Sequence, residues 1–310
     1  GELYEAFRRV NVNDLGALSD EELTKRLQGY HQVLCIVNTR AHAQHLHAAL
    51  SEHSKCYHLS ARMCPVHRRK QIKEIEELLQ KGANCRVIST QLIEAGVDID
   101  FPIVYRAMAG IDSIGQAAGR CNREGKAERG EVYVFRSTER HGQATSWQRL
   151  TAEIGRMIMD THDDPLSLSA IEDYFQRLYS YKGDDGLDKK EILSSLERGH
   201  RDLMFPFEDV GWKFSIIEQG TKDLIIPYDE GAKALLRELK VSKFPWKYAR
   251  RLQGYTIGIY PDEFREMERA HEIDFFGDRF YVLSDNDRYS EEIGLIGRKD
   301  NIGSGALLIV

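Results

Sequence analysis

"QAAGRCNREG", residues 116–125, carries Gln116, Arg120 and Arg123 at spacings of four and three. On a helix, residues so spaced share one face. That face is ordinarily the apolar one. Here the apolar stripe is displaced to Ile114, Ala117, Ala118 and Cys121, mostly small side chains that let a helix lie close to a sheet. Two guanidiniums then point together at whatever lies opposite, and their planar forks of donors suit phosphate or carboxylate. The plain alternative is a surface helix with two solvated arginines, so the flanking segments must decide.

Those segments alternate between strand-like and helix-like patterns. Ser19 to Glu22 reads as a capping box opening a helix to about Tyr30. "QVLCIVN" is a continuous apolar run of the buried parallel-strand type. Thr39 to His53 has helical spacing, "CYHLS" is a short strand, and Pro65 opens a helix that stops at Gly82. "CRVIST", "IVYRAM" and "EVYVF" supply three further strands. Strands separated by helices imply a parallel sheet covered on both faces, an α/β class. Beyond about Phe135 the pattern changes. Residues 144–198 read as helical, with breaks near "THDDP" and "YKGDDG". From Leu203 onward aromatic and β-branched residues dominate, in "FEDVGWKFSII", "KDLIIPYD", "LQGYTIGIY" and "FYVLS", with a helix near 230–240. The expected division is 1–140, 141–200 as a helical linker, and 201–310 as a smaller α+β domain.

The 310 residues give room for a large core, and their net charge is −6. The first 150 hold 21 Lys and Arg against 18 Asp and Glu, the remainder 22 against 31. A mildly basic first half permits a local anion-binding groove, not a polybasic carpet. No apolar run approaches ~18 residues, which excludes a membrane-spanning helix. No leader precedes the first elements, and "GELYEAFRRV" opens without methionine, as if cut from a longer chain. The five cysteines show no C-x-x-C spacing, which suits reduced thiols in the cytoplasm.

"STQLIEAGVDIDFP", residues 89–102, follows the strand "CRVI". In open parallel sheets ligands sit beyond the carboxyl ends of strands. Ser89, Thr90 and Gln91 leave one such end, and Gly96 allows close backbone approach. If extended, Asp98 and Asp100 fall on one face. A buried carboxylate there would hold a ribose hydroxyl, a backbone amide or a metal-bound water. The alternative is a tight turn with two surface aspartates.

"VLCIVNTR", "HLSARMCPVHR", "STQLIEAGVDIDFP" and "QAAGRCNREG", in this order, resemble motifs IV, IVa, V and VI of a superfamily 2 helicase. "GVDIDFP" followed by "GRCNREG" is similar to the signature helicase–nuclease of type I CRISPR immunity. "LQGYTIGIYPDEF" and "YVLSDNDRYSEEIGL" resemble that family's C-terminal domain. The resemblance implies a second RecA-like lobe followed by a C-terminal domain, half of an ATP-driven single-stranded DNA translocase coupled to a nuclease. It implies ATP and Mg²⁺ held mainly by a first lobe. Gln116 would position the attacking water or the phosphate; Arg120 and Arg123 would stabilise charge in transfer, one of them as an arginine finger. Gly96 and Asp98 would line the nucleotide side, with Asp98 holding ribose or linking to the DNA side. Asn38, Thr39, Ser60, Arg62, Thr90 and Gln91 would track the strand backbone. Implied partners are single-stranded DNA, the first lobe and nuclease domain of the same protein, the RNA-guided surveillance complex called Cascade, and a protein inhibitor.

The sequence also departs from a complete motor. It has no G-x-x-x-x-G-K-[ST] and no D-E-x-x box; the string Gly119 to Lys126 has one residue too many and continues into Ala127. The isolated chain is therefore expected to be inactive. His162-Asp163 lies between helices and reads as no nuclease site. His42, His45, His47, His53, Cys56, His58, Cys64 and His67 are dense but lack finger-like spacing, and read as solvated helix histidines with no metal. Two other readings stay open: an RNA or repair helicase lobe, and a non-catalytic regulatory or docking module.

Overall fold

The computed structural model describes residues 9–94, 96–188, 190–202, 205–214, 220–276 and 279–297. Six strands form one parallel sheet: β1 Val10–Leu18, β2 Gln32–Ile36, β3 Cys56–Leu59, β4 Cys85–Ser89, β5 Ile103–Ala107 and β6 Gly130–Ser137, in the order β1-β6-β5-β2-β4-β3. All five pairings are parallel. The continuous apolar runs become the inner strands, with Leu34, Cys35 and Ile36 of β2 fully buried. The alternation of Val10 and Val12 with Asn11 and Asn13 marks the edge strand β1, which the sequence reading passed over. The opening "GELYEAF" lies outside the described residues.

Helices α1 Asp20–Gln28, α2 Arg40–Ser51, α3 Pro65–Gln80 and α4 Ile111–Ala118 cover the sheet. The capping box of α1 forms as expected, with the Ser19 hydroxyl accepting from the Glu22 amide and the Glu22 carboxylate accepting from the Ser19 amide. The two faces carry separate cores. One gathers Leu34, Ile36, Leu59, Ile75, Val87 and Phe101; the other gathers Leu23, Leu27, Val37, Leu46, Leu50 and Phe135.

Helices α5 Ser146–Thr161 and α6 Leu168–Leu187 follow, then α7 Ile192–Asp202. The break near "THDDP" falls between α5 and α6, and "YKGDDG" carries the non-helical Gly183 inside α6. These helices are more than a connector. Ile154 and Ile158 of α5 and Ala170 and Tyr174 of α6 share a core with Met108, Ile111, Ile114 and Val134. "FEDVGWK" is the helix α8 Phe207–Lys213; "SII", the end of that quoted stretch, lies outside the described residues.

A second sheet has the order β8-β7-β10-β9, from β7 Lys222–Ile225, β8 Thr256–Ile259, β9 Ile273–Phe276 and β10 Phe280–Leu283. Helices α9 Glu230–Val241, α10 Trp246–Leu252 and α11 Pro261–Arg269 pack on it. This unit docks on the segment between β3 and α3. Arg62 Nη1 lies 2.7 Å from Glu263 Oε1 on α11, and the Arg62 carbonyl accepts from the Leu295 amide. Cys64 is buried among Leu224, Ile257, Phe264 and Leu295. The His67 ring stacks on Tyr228, and its Nδ1 is 2.9 Å from the Tyr289 hydroxyl. Gly294 has φ +78°, and a Cβ there would meet the Arg62 carbonyl oxygen at 2.4 Å. No described helix is long and apolar enough to cross a membrane.

Candidate functional site

The decisive turn differs from the helix that the spacing suggests. Helix α4 stops at Ala118, with Gly119 as its C-cap, so Gln116 lies on the helix while Arg120 and Arg123 lie in the turn beyond it. The glycine ends the helix before the second arginine-bearing turn can form. What holds the turn with the two arginines is a stitch to the 96–101 loop. The Phe101 amide donates to the Arg120 carbonyl, and the Asn122 amide donates to the Phe101 carbonyl. Asn122 takes a left-handed conformation, φ 49°, and its side chain bonds the Arg9 and Ala127 carbonyls and the Ala127 amide. Asparagine tolerates that conformation and supplies the local hydrogen bonds. The expected apolar stripe of Ile114, Ala117, Ala118 and Cys121 is buried.

Arg120 and Arg123 are used differently. Arg120 is half-buried; its Nε donates to the Ile93 carbonyl at 3.0 Å and its Nη2 to the Glu94 carbonyl at 2.7 Å. Burial, and then the charge of Arg123, lower its pKa. Arg123 is exposed and its Nη1 lies 2.7 Å from Asp98 Oδ1, with the arginine side chain 43% and the aspartate 82% accessible. Such a pair in water is worth about 0–1 kcal/mol, so Arg123 is free to exchange partners. Gln116 is also exposed.

The two aspartates do not act together. Asp98 is at the surface, whereas Asp100 accepts the backbone amides of Arg123 at 2.7 Å and Glu124 at 3.2 Å. Asp100 thus holds the turn that carries Arg123. Gly96 has φ +72° with nothing within 4 Å of a built Cβ. Its role is the left-handed backbone rather than close approach.

At the carboxyl ends of β2 and β5 lies a buried network that the motif reading overlooked. Arg106 Nε is 2.8 Å from Glu94 Oε1, with both side chains at most 5% accessible. Arg106 Nη1 donates to Asn38 Oδ1, Nη2 donates to Ser113 Oγ, and the Ser113 hydroxyl donates to Glu94 Oε2. Asn38 Nδ2 donates to the Met108 carbonyl, and Gln91 Nε2 donates weakly to the Asn38 carbonyl and Oδ1 at 3.3 and 3.4 Å. One ion pair therefore ties together the ends of β2, β4 and β5 and helix α4. An arginine inside the apolar strand "IVYRAM" was its sequence signal.

The remaining strand-path candidates scatter. Thr39 caps α2 by accepting from the His42 amide, and its hydroxyl donates to the His141 carbonyl at 2.6 Å. Ser60 is fully buried and accepts from the Arg62 amide. Arg62 is buried against Glu263. Thr90 is buried beside the half-buried Gln91. The histidines are not the solvated face expected of them: His42, His47, His58 and His67 are buried, while His45 and His53 are exposed. Burial lowers the His58 pKa to about 3. His162 pairs with Asp173 at 3.1 Å, and all five cysteines are free and buried.

Residues 29–126, which span this sheet edge, match the family model described as "CRISPR-associated nuclease/helicase Cas3, C-terminal". The chain carries a Cas3-like C-terminal segment. In addition, 60% of the chain aligns at 29% identity with 22% of the CRISPR-associated nuclease/helicase Cas3 of Methanothermobacter thermautotrophicus. The Cas3-like chain thus spans less than a quarter of that relative. In solved structures, 93% of it superposes on 42% of T. fusca Cas3 with AMPPNP, at TM-score 0.58 and 16% identity. A further 0.52 at 16% identity relates 89% of it to 41% of a chain in a CRISPR RNA-guided surveillance complex, pre-nicking. At those identities the likeness is one of fold.

Proposed function

We propose that the chain is the second RecA-like lobe and C-terminal domain of an ATP-driven single-stranded DNA translocase coupled to a nuclease, acting in type I CRISPR interference. The observation that carries the reading is the exposed Arg123 guanidinium. It sits on a pinned turn that leads into β6, just beyond Gln116 and Arg120 in the chain, and its ion-pair partner among the described residues is a solvated aspartate. That is the disposition of a cation waiting for a phosphate supplied from elsewhere. A nucleotide bound with Mg²⁺ by a separate first lobe would displace Asp98 and place its γ-phosphate against Arg123. Gln116 would orient water there, and Asp98 would be released to a ribose hydroxyl. Arg120 would hold the 93–94 turn as well as add positive potential. The AMPPNP in the T. fusca relative supports the nucleotide, and the surveillance complex in the other relative supports an RNA-guided partner.

The strand would pass over the loops carrying Asn38, Thr39, Thr90 and Gln91. In this reading Ser60 and Arg62 support the path from below, since Arg62 is already neutralised by Glu263. Half a groove implies weak binding. We expect the chain to bind single-stranded DNA with little sequence preference and an affinity that falls as salt rises, by about −0.7 in log K per log[salt] for each phosphate neutralised. Fluorescence anisotropy with mixed and homopolymer oligonucleotides at several salt concentrations measures this. Tight, salt-insensitive, sequence-selective binding would make the chain a recognition module instead.

A further inference from the structure

Asp20, the first residue of α1, is buried, and its ion-pair partners among the described residues are all histidines. His42 Nε2 lies 3.0 Å from Asp20 Oδ1 and His45 Nε2 lies 3.4 Å from Oδ2. His141 Nε2 contacts Oδ2 as well. Three imidazoles from two elements, helix α2 and the segment after β6, thus present the same ring nitrogen to one carboxylate. The His141 ring stacks between the other two, at 4.6 Å and 13° from His42 and at 4.8 Å and 28° from His45.

Ligand atoms of Asp20, His42 and His141 all fall within 4.8 Å of one another. Tetrahedral zinc with bonds near 2.0–2.1 Å holds its ligands about 3.3 Å apart, close to the 3.0 Å between His42 Nε2 and Asp20 Oδ1. The local charge also favours a cation. The Glu139 carboxylate accepts the Asp20 amide at 3.1 Å, adding a second negative group. A buried carboxylate ordinarily finds a lysine, an arginine or a metal ion.

We infer that Asp20, His42 and His141 form a binding site for one structural divalent cation of the zinc class, with the exposed His45 beside it on the Asp20 carboxylate. The ion would join the start of α1, the start of α2 and the segment after β6. It would also fix Thr39, whose hydroxyl donates to the His141 carbonyl, and so brace the proposed strand path from behind. The site stands apart from the nucleotide edge and does not depend on the reading of that edge.

The test uses tag-free protein, stripped with chelator, dialysed against zinc chloride and assayed by elemental analysis, with affinity from calorimetric titration. One equivalent is expected. His45→Gln alters an exposed ring and His141→Gln a partly exposed one, so both should keep the native circular dichroism spectrum. Each should weaken zinc binding by at least ~10-fold, the lower end of what altered metal-site partners cost. His53→Gln, at an exposed position outside the cluster, should bind like the parent. Well under one equivalent in the parent protein would overturn the inference. So would stoichiometric zinc whose affinity neither His45→Gln nor His141→Gln changes, because the metal would then lie elsewhere.

Discussion

Arg123→Ala in the longer protein containing this chain is expected to lower kcat for ATP hydrolysis by about 10³–10⁵-fold, the range of arginine fingers in phosphoryl transfer. ATP affinity should change little, because such a group acts chiefly on the transition state. The structure makes this a clean substitution. The Arg123 side chain touches Asp98 at the surface, while the turn is held by its backbone amide on Asp100. Removing the guanidinium leaves the stitch intact. Arg120→Ala would not separate chemistry from structure so well, since it also strips hydrogen bonds from the Ile93 and Glu94 carbonyls. Steady-state phosphate release, with nucleotide binding measured in parallel, checks the expectation. A mutant that keeps half its turnover would make Arg123 an ordinary surface arginine.

The second large effect concerns stability. Glu94→Ala should destabilise the sheet domain by about 3–5 kcal/mol, because it leaves the Arg106 charge buried without its partner. Ser113 and Asn38 would still contact the guanidinium, but neither carries charge. Replacing both members together, Glu94→Leu with Arg106→Met, should cost much less than Glu94→Ala alone, since no charge is then stranded. Urea unfolding followed by circular dichroism compares the midpoints. A double variant as unstable as the single one would show that the network is needed for its hydrogen bonds rather than for charge balance.

How much of this could be read beforehand depends on the range of the interaction involved. The five inner and flanking strands β2 to β6 announce themselves through local apolar runs, and the helices through caps and stops such as Ser19, Pro65 and Gly82. Strand β1 escaped because its alternation is short and its polar partners Asn11 and Asn13 look like loop residues. The helix drawn through Arg120 and Arg123 failed at Gly119, a stop signal outweighed by an attractive spacing. The candidate site was legible in its residue types but not in their division of labour. Whether an arginine meets a backbone carbonyl, as Arg120 does, or a surface carboxylate, as Arg123 does, depends on a loop some 20 residues away. The cluster around Asp20 had no local signal, because His141 arrives from 121 residues further along the chain.

The central claim is that this chain holds only the half of a motor that completes a nucleotide site. It is tested most directly by ATP turnover in the presence of single-stranded DNA, measured on the chain alone and on the longer protein. The account predicts no release of phosphate above background from the chain alone and turnover in the ordinary enzymatic range, about 1–10³ s⁻¹, from the longer protein. Turnover by the chain alone above ~0.1 s⁻¹, or none from the longer protein, would contradict it.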